Sequence, residues 1–149
     1  MTDFEQMVEK AYYLYLRYGV EATFALLYHS EPLKAKKLGS FLRLSDSTYD
    51  IDDHHIFIVF SFTDESGAYK ASENLLPKLD HYFGAQNSYI ALDAFDTTNS
   101  PQIVLKRLMQ ILSETRKDPF SRIENEKVLD RKIPFSNRKE TVSVLVITD

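Results

Sequence analysis

Apolar residues recur at three- and four-residue steps from Phe4 through Met7, Val8, Ala11, Leu14, Tyr15 and Tyr18. That spacing predicts an amphipathic helix over residues 3–18, with Gly19 as its stop. Residues 22–29, ATFALLYH, form a short apolar run, the pattern of a buried strand. Pro32 then opens a helix whose apolar face carries Leu33, Leu38, Phe41 and Leu42. The strongest strand signal lies between residues 47 and 62. Two apolar runs, around Tyr49–Ile51 and Ile56–Phe62, flank Asp52 and Asp53 as the arms of a tight hairpin would. The second run is apolar on both faces, which predicts a strand covered on both sides.

Further along, Ala68, Ala71, Leu75, Leu76 and Leu79 mark a helix over residues 66–83, which Pro77 is predicted to kink or end. SYIALDAF, residues 88–95, reads as a strand. Ser100 followed by Pro101 is a helix start, a capping hydroxyl and then proline at the first helical position. This helix buries Ile103, Val104, Leu108, Ile111 and Leu112 and runs to about Lys117. Residues 118–140 are polar and charged and read as an irregular excursion, and TVSVLVIT, 141–148, reads as a final strand. The order α-β-α-β-β-α-β-α-β predicts an α/β (α+β) fold. Its centre is a mixed, mainly antiparallel sheet of about five strands with helices packed on it.

Composition narrows the chemistry. A chain of 149 residues suits one domain, 1–149, large enough to bury a core without covalent staples. With no cysteine there is no disulfide, thiolate nucleophile or cysteine-bound metal. The four glycines stand far apart and build no glycine-rich phosphate loop. A net charge of −4 argues against a nucleic-acid partner. No apolar stretch is long enough to span a membrane, and the acidic start is unlike a signal peptide, so the expected location is the cytoplasm.

Several residues in this order carry a family resemblance. Arg17-Tyr18-Gly19 precedes the first strand, Arg43-Leu44-Ser45-Asp46 precedes the hairpin, and Asp52-Asp53-His54-His55-Ile56 occupies its turn. FIVFSF and the helix start at Gly67-Ala68 follow. This arrangement resembles the GGDEF domain of diguanylate cyclases over roughly residues 14–117, with one gap and without the signature itself. The resemblance implies a nucleotide-cyclase-like fold with a ferredoxin-like core. It also implies a degenerate site. Asp52 and Asp53 stand where the family has glycines that let the nucleotide lie on the backbone. His54 and His55 stand where it has carboxylates for metal and base work, and Tyr28 lies near the position of a second metal-binding aspartate. The phosphate-binding loop after the first strand is missing, because Ser30-Glu31-Pro32 runs straight on. The expectation is no catalytic residues, no cofactor and no metal: a non-enzymatic regulatory domain acting through a protein partner or as a homodimer.

One site survives in the resemblance. The family binds cyclic di-GMP through an Arg-x-x-Asp segment, here Arg43 and Asp46. An arginine fork bonds phosphate or a guanine edge bidentately, and an aspartate accepts from guanine N–H groups. The same pair could instead form an i,i+3 ion pair that closes a turn. The helix after the hairpin offers Lys70, Asn74 and Lys78 but no second arginine. A third expectation is a metal-dependent enzyme built on Asp50, Asp52, Asp53, His54 and His55, although neighbouring strand residues point to opposite faces. Lys34, Lys36 and Lys37 read as a solvated helix face, and Tyr12, Tyr13, Tyr15 and Tyr18 as core or partner-facing packing.

Overall fold

The computed structural model describes residues 2–130. Helix α1 (Asp3–Tyr18) starts where Thr2 accepts from the Glu5 backbone N–H while the Glu5 carboxylate accepts from the Thr2 N–H, a reciprocal cap. It stops at Gly19, whose φ of 69° places it in the left-handed region that only glycine enters freely. Strand β1 (Ala22–His29), helix α2 (Ala35–Gly39), strands β2 (Ser47–Asp50) and β3 (His55–Ser61), helix α3 (Glu65–Phe83), strand β4 (Ser88–Asp93), helix α4 (Pro101–Lys117) and strand β5 (Ile123–Glu124) follow. The strands lie in the order β2-β3-β1-β4-β5, antiparallel except for the β4–β5 pair. This is the mixed, mainly antiparallel five-stranded sheet the pattern predicts.

Alternation along the strands divides the core into two layers. Phe24, Leu26, Phe57, Val59 and Ala91 face α1 and α4. There Phe4 meets Phe57 edge-on at 4.8 Å, and Phe95 packs against Tyr12 and Phe24. Ala25, Leu27, Ile56, Ile58, Phe60, Ile90 and Leu92 face α2 and α3. α1 is also bonded to the body, because Tyr12 Oη donates to the Asn99 carbonyl at 2.8 Å.

Several expectations need correction. Ile103, expected inward on α4, is exposed, while Val104, Leu108, Ile111 and Leu112 carry the buried face. The helix after Pro32 is one short turn, Ala35–Gly39; Phe41 and Leu42 lie beyond it but still pack on the α3 side. Lys34, extended at its start, supplies no side-chain cap, and the Leu33 and Ala35 N–H groups bond instead to the Asp53 carbonyl and the Asp50 carboxylate of the hairpin, which holds the chain before Ala35 out of the helix. Pro77 does not end α3, which continues to Phe83, because Leu75, Leu76 and Leu79 on either side of it are buried against the sheet. Residues 118–140 are not irregular throughout. Ile123–Glu124 forms the parallel edge strand, where buried Ile123 gains the covered position its apolar side chain requires, and Val128 is buried under α1 and α4. The expected strand at 141–148 lies outside the described residues. Residues 94 and 95 lie beyond β4, and Phe62 lies beyond β3, at a φ of 58°.

Candidate functional site

The hairpin turn meets the end of β1 at one end of the sheet. Ile51 and Asp52 both direct their N–H groups to the His55 carbonyl, which closes the turn. The His29 N–H reaches the His54 carbonyl at 2.9 Å and docks the turn on β1. The register sets Tyr28 between His55 on β3 and Tyr89 on β4. Opposed residues share a face, so these rings form one row. Tyr28 lies 5.3 Å from the His55 ring and 6.2 Å from that of His54, and the Arg116 guanidinium, from the end of α4, sits 3.8 Å over its centre.

The turn's polar side chains go to separate partners. Asp52 accepts from His55 Nδ1 at 2.8 Å and from the His54 N–H. Partial burial pushes the Asp52 carboxyl up, yet these hydrogen bonds outweigh it and hold the carboxyl below its ordinary value. His54 Nδ1 pairs with the His29 carbonyl at 3.0 Å. Asp53 faces Lys34 at 3.3 Å, and Asp50 accepts from the first N–H of α2. The five residues therefore do not converge, and among the described residues no three His, Asp or Glu side chains gather as a metal site requires. An Mg²⁺ ion prefers a near-octahedral set of oxygens. Tyr28, His54 and His55 present rings here, and the carboxylates of Asp50, Asp52 and Asp53 are each bonded to a different partner.

Arg43 and Asp46 are brought together, but on each other. The turn after α2 places Arg43 Nη2 2.7 Å and Nε 3.1 Å from the two Asp46 carboxylate oxygens. The Asp46 carboxylate also accepts from the Arg43 N–H. Nη2 reaches on to the Ser61 carbonyl at 3.0 Å and Thr63 Oγ1 at 2.7 Å. The Asp46 side chain is only 2% exposed, whereas that of Arg43 is 51% exposed. The pair thus clamps the turn before β2 onto the end of β3, and one edge of the guanidinium stays open to water.

Sequence reasoning missed three arrangements. Arg107 Nε and Nη2 grip buried Asp93 at 2.7 and 3.0 Å, tying α4 to the end of β4. Arg122 grips Asp80 of α3 in the same bidentate way. Glu65, at the start of α3, faces Glu126, which lies just past β5. Each partner lies far along the chain, so no local spacing announces it. His29 is 1% exposed; its Nδ1 bonds Ser88 Oγ at 2.7 Å and its Nε2 has no partner among the described residues. Burial first of all pushes its pKa down.

No helix among the described residues is long and apolar enough to cross a membrane. No family model and no curated protein matches this sequence. Among solved structures, the fold is similar to the GGDEF domain of DgcB from Caulobacter crescentus, a structure in complex with c-di-GMP. The match has a TM-score of 0.67 at 11% identity, over 83% of this chain and 88% of that one. The order of strands and helices is therefore a GGDEF-like fold.

Proposed function

We propose that this chain is a GGDEF-like regulatory module that makes no cyclic dinucleotide and acts through contacts with a protein partner or a second copy of itself. The Tyr28, His54 and His55 rings at the turn support this reading most directly. By the resemblance, nucleotide chemistry would need carboxylates at those positions to hold a metal and take a proton. Imidazole and phenol rings are poor ligands for the oxygen-seeking Mg²⁺ that accompanies a triphosphate, and Asp52 and Asp53 place negative charge where phosphate would approach. The exposed Tyr13, Leu16 and Tyr18 on α1 give the module a surface of the kind favoured at protein interfaces.

A second reading is a cyclic di-GMP receptor using Arg43 and Asp46. It draws support from the c-di-GMP in the similar solved structure and from the open edge of the Arg43 guanidinium. Against it stand the bonds that already commit Nε and Nη2 to Asp46, Ser61 and Thr63. Two assays on the purified protein separate the readings. Incubation with GTP and Mg²⁺, followed by chromatography, is expected to yield no cyclic di-GMP; formation of product would overturn the proposal. Isothermal titration with cyclic di-GMP is expected to give no saturable heat. Saturable heat lost in Arg43→Ala would establish the receptor reading instead. Light scattering and affinity capture then address the partner.

A further inference from the structure

A hollow of about 210 Å³ opens between α1 and the β2–β3 edge of the sheet, away from the hairpin turn. Leu14 of α1 and Val59 of β3 give it an apolar wall. Lys10 of α1, Ser45, Ser47 of β2 and Ser61 of β3 line it with polar groups. The β2–β3 register sets Ser47 directly opposite Val59, so the hydroxyl and the apolar wall share one face.

Three observations together point to a ligand. The lining contains one cation and no aspartate or glutamate, on a chain whose net charge is −4. Among the described residues Lys10 belongs to no ion pair. The side-chain hydroxyls of Ser45, Ser47 and Ser61 likewise carry no hydrogen bond among the described residues. The fold therefore sets one unpaired ammonium and three hydroxyls, exposed or half-buried and open to water, beside an apolar wall. Neighbouring polar groups, by contrast, are used up, as in the Arg43–Asp46 clamp.

We propose that this hollow binds a small apolar molecule bearing a single carboxylate, about the size of benzoate or hexanoate. The inference stands apart from the reading of the hairpin and Arg43. Size sets the body of the ligand: a cavity of about 150 Å³ holds one benzene ring, so this one holds a ring or short chain plus a head group. Charge sets the head. One ammonium balances one carboxylate, and the hydroxyls donate to its oxygens in a charge-assisted way. A phosphate dianion would be left half-neutralised, and an amine would be repelled.

The test is an amide chemical-shift titration of the full chain with sodium benzoate, with benzamide as an uncharged isostere. Shifts confined to Leu14, Ser47, Val59, Ser61 and their neighbours are expected. Benzamide and the Lys10→Ala variant should each bind about tenfold more weakly, the size of one charge-assisted contact. Lys10 is exposed, so this variant retains its fold. Ser47→Leu, which fills the hollow from an exposed edge position, should abolish the shifts while the rest of the spectrum stays unchanged. Absence of shifts at these residues, equal binding of benzoate and benzamide, or indifference to Lys10→Ala would each overturn the proposal.

Discussion

Replacing Glu65 by glutamine should make the protein more stable, and more so as the pH rises. Glu65 begins α3 directly after its cap, Asp64, and one of its carboxylate oxygens is buried without a donor. Burial, then the facing Glu126 carboxyl, then the charge of Asp93 push its pKa up to about 7, and Lys127 offsets this only in part. The nearby Arg107 is already committed to Asp93, and Glu126 accepts from the Ala94 N–H. In the unfolded chain Glu65 titrates near 4.5, so between there and about 7 the folded protein holds a proton that the unfolded chain has released. Folding then takes up a proton, and stability falls across that window as the pH rises. A rise of about 2.5 pH units corresponds to a ceiling of about 3 kcal/mol. Because the site is partly open, water trims this to about 1–2 kcal/mol. Urea denaturation of the wild type and Glu65→Gln from about pH 5 to about pH 8 measures it. The two should nearly coincide at the acid end, and the variant should lead by about 1–2 kcal/mol at the basic end. A gap independent of pH would refute the raised pKa of Glu65. So would a variant less stable at the basic end, since a charged Glu65 at a helix start would then be helping through the helix dipole.

Other perturbations test other joints. Phe62 holds a left-handed φ of 58° with its ring 70% exposed. Phe62→Gly relieves about 1–2 kcal/mol of backbone strain and gives back part in unfolded-chain entropy, so a net gain of up to about 1 kcal/mol in urea melts is expected. Pro77→Ala restores the missing N–H at an exposed position inside α3; thermal melts should show about 1–2 kcal/mol of added stability. His29 is held neutral by burial, with its pKa below the ordinary 6.5, so stability should drop as the pH falls below that value. His29→Gln should flatten this acid limb in melts while losing some packing against Phe83.

The sheet was legible because β1, β3 and β4 are apolar runs flanked by plain stop signals, and because Asp52-Asp53 broke the central run into two arms. The Ser100–Pro101 start was read locally, whereas the caps that the structure shows at Thr2 and Asp64 were not. Edges were harder to read. β5 is only two residues long, and what makes it a strand is the neighbouring β4, far back in sequence. Pro77 misled because propensity is a local quantity, whereas α3 is held by the sheet it covers. Arg43 and Asp46 were singled out by the family resemblance, and their i,i+3 spacing allowed either a ligand site or a clamp. What distinguishes them, the Ser61 carbonyl and Thr63 hydroxyl, arrives from another strand end. Tyr28 and Arg116 meet only through tertiary packing, so no residue pattern marks their contact.

The central place of β1 has a consequence for synthesis. Both its neighbours come later in the chain: β3 ends at residue 61 and β4 at residue 93. At roughly 5–20 residues per second, β1 is made about 3–13 seconds before the last residue of β4 exists to pair with it. During that interval ATFALLYH carries at least one open backbone edge, and its apolar surface lacks the cover of α4, which is made later still. The strand that anchors the finished sheet is thus the nascent chain's chief liability for aggregation, and the segment a chaperone would most usefully shield.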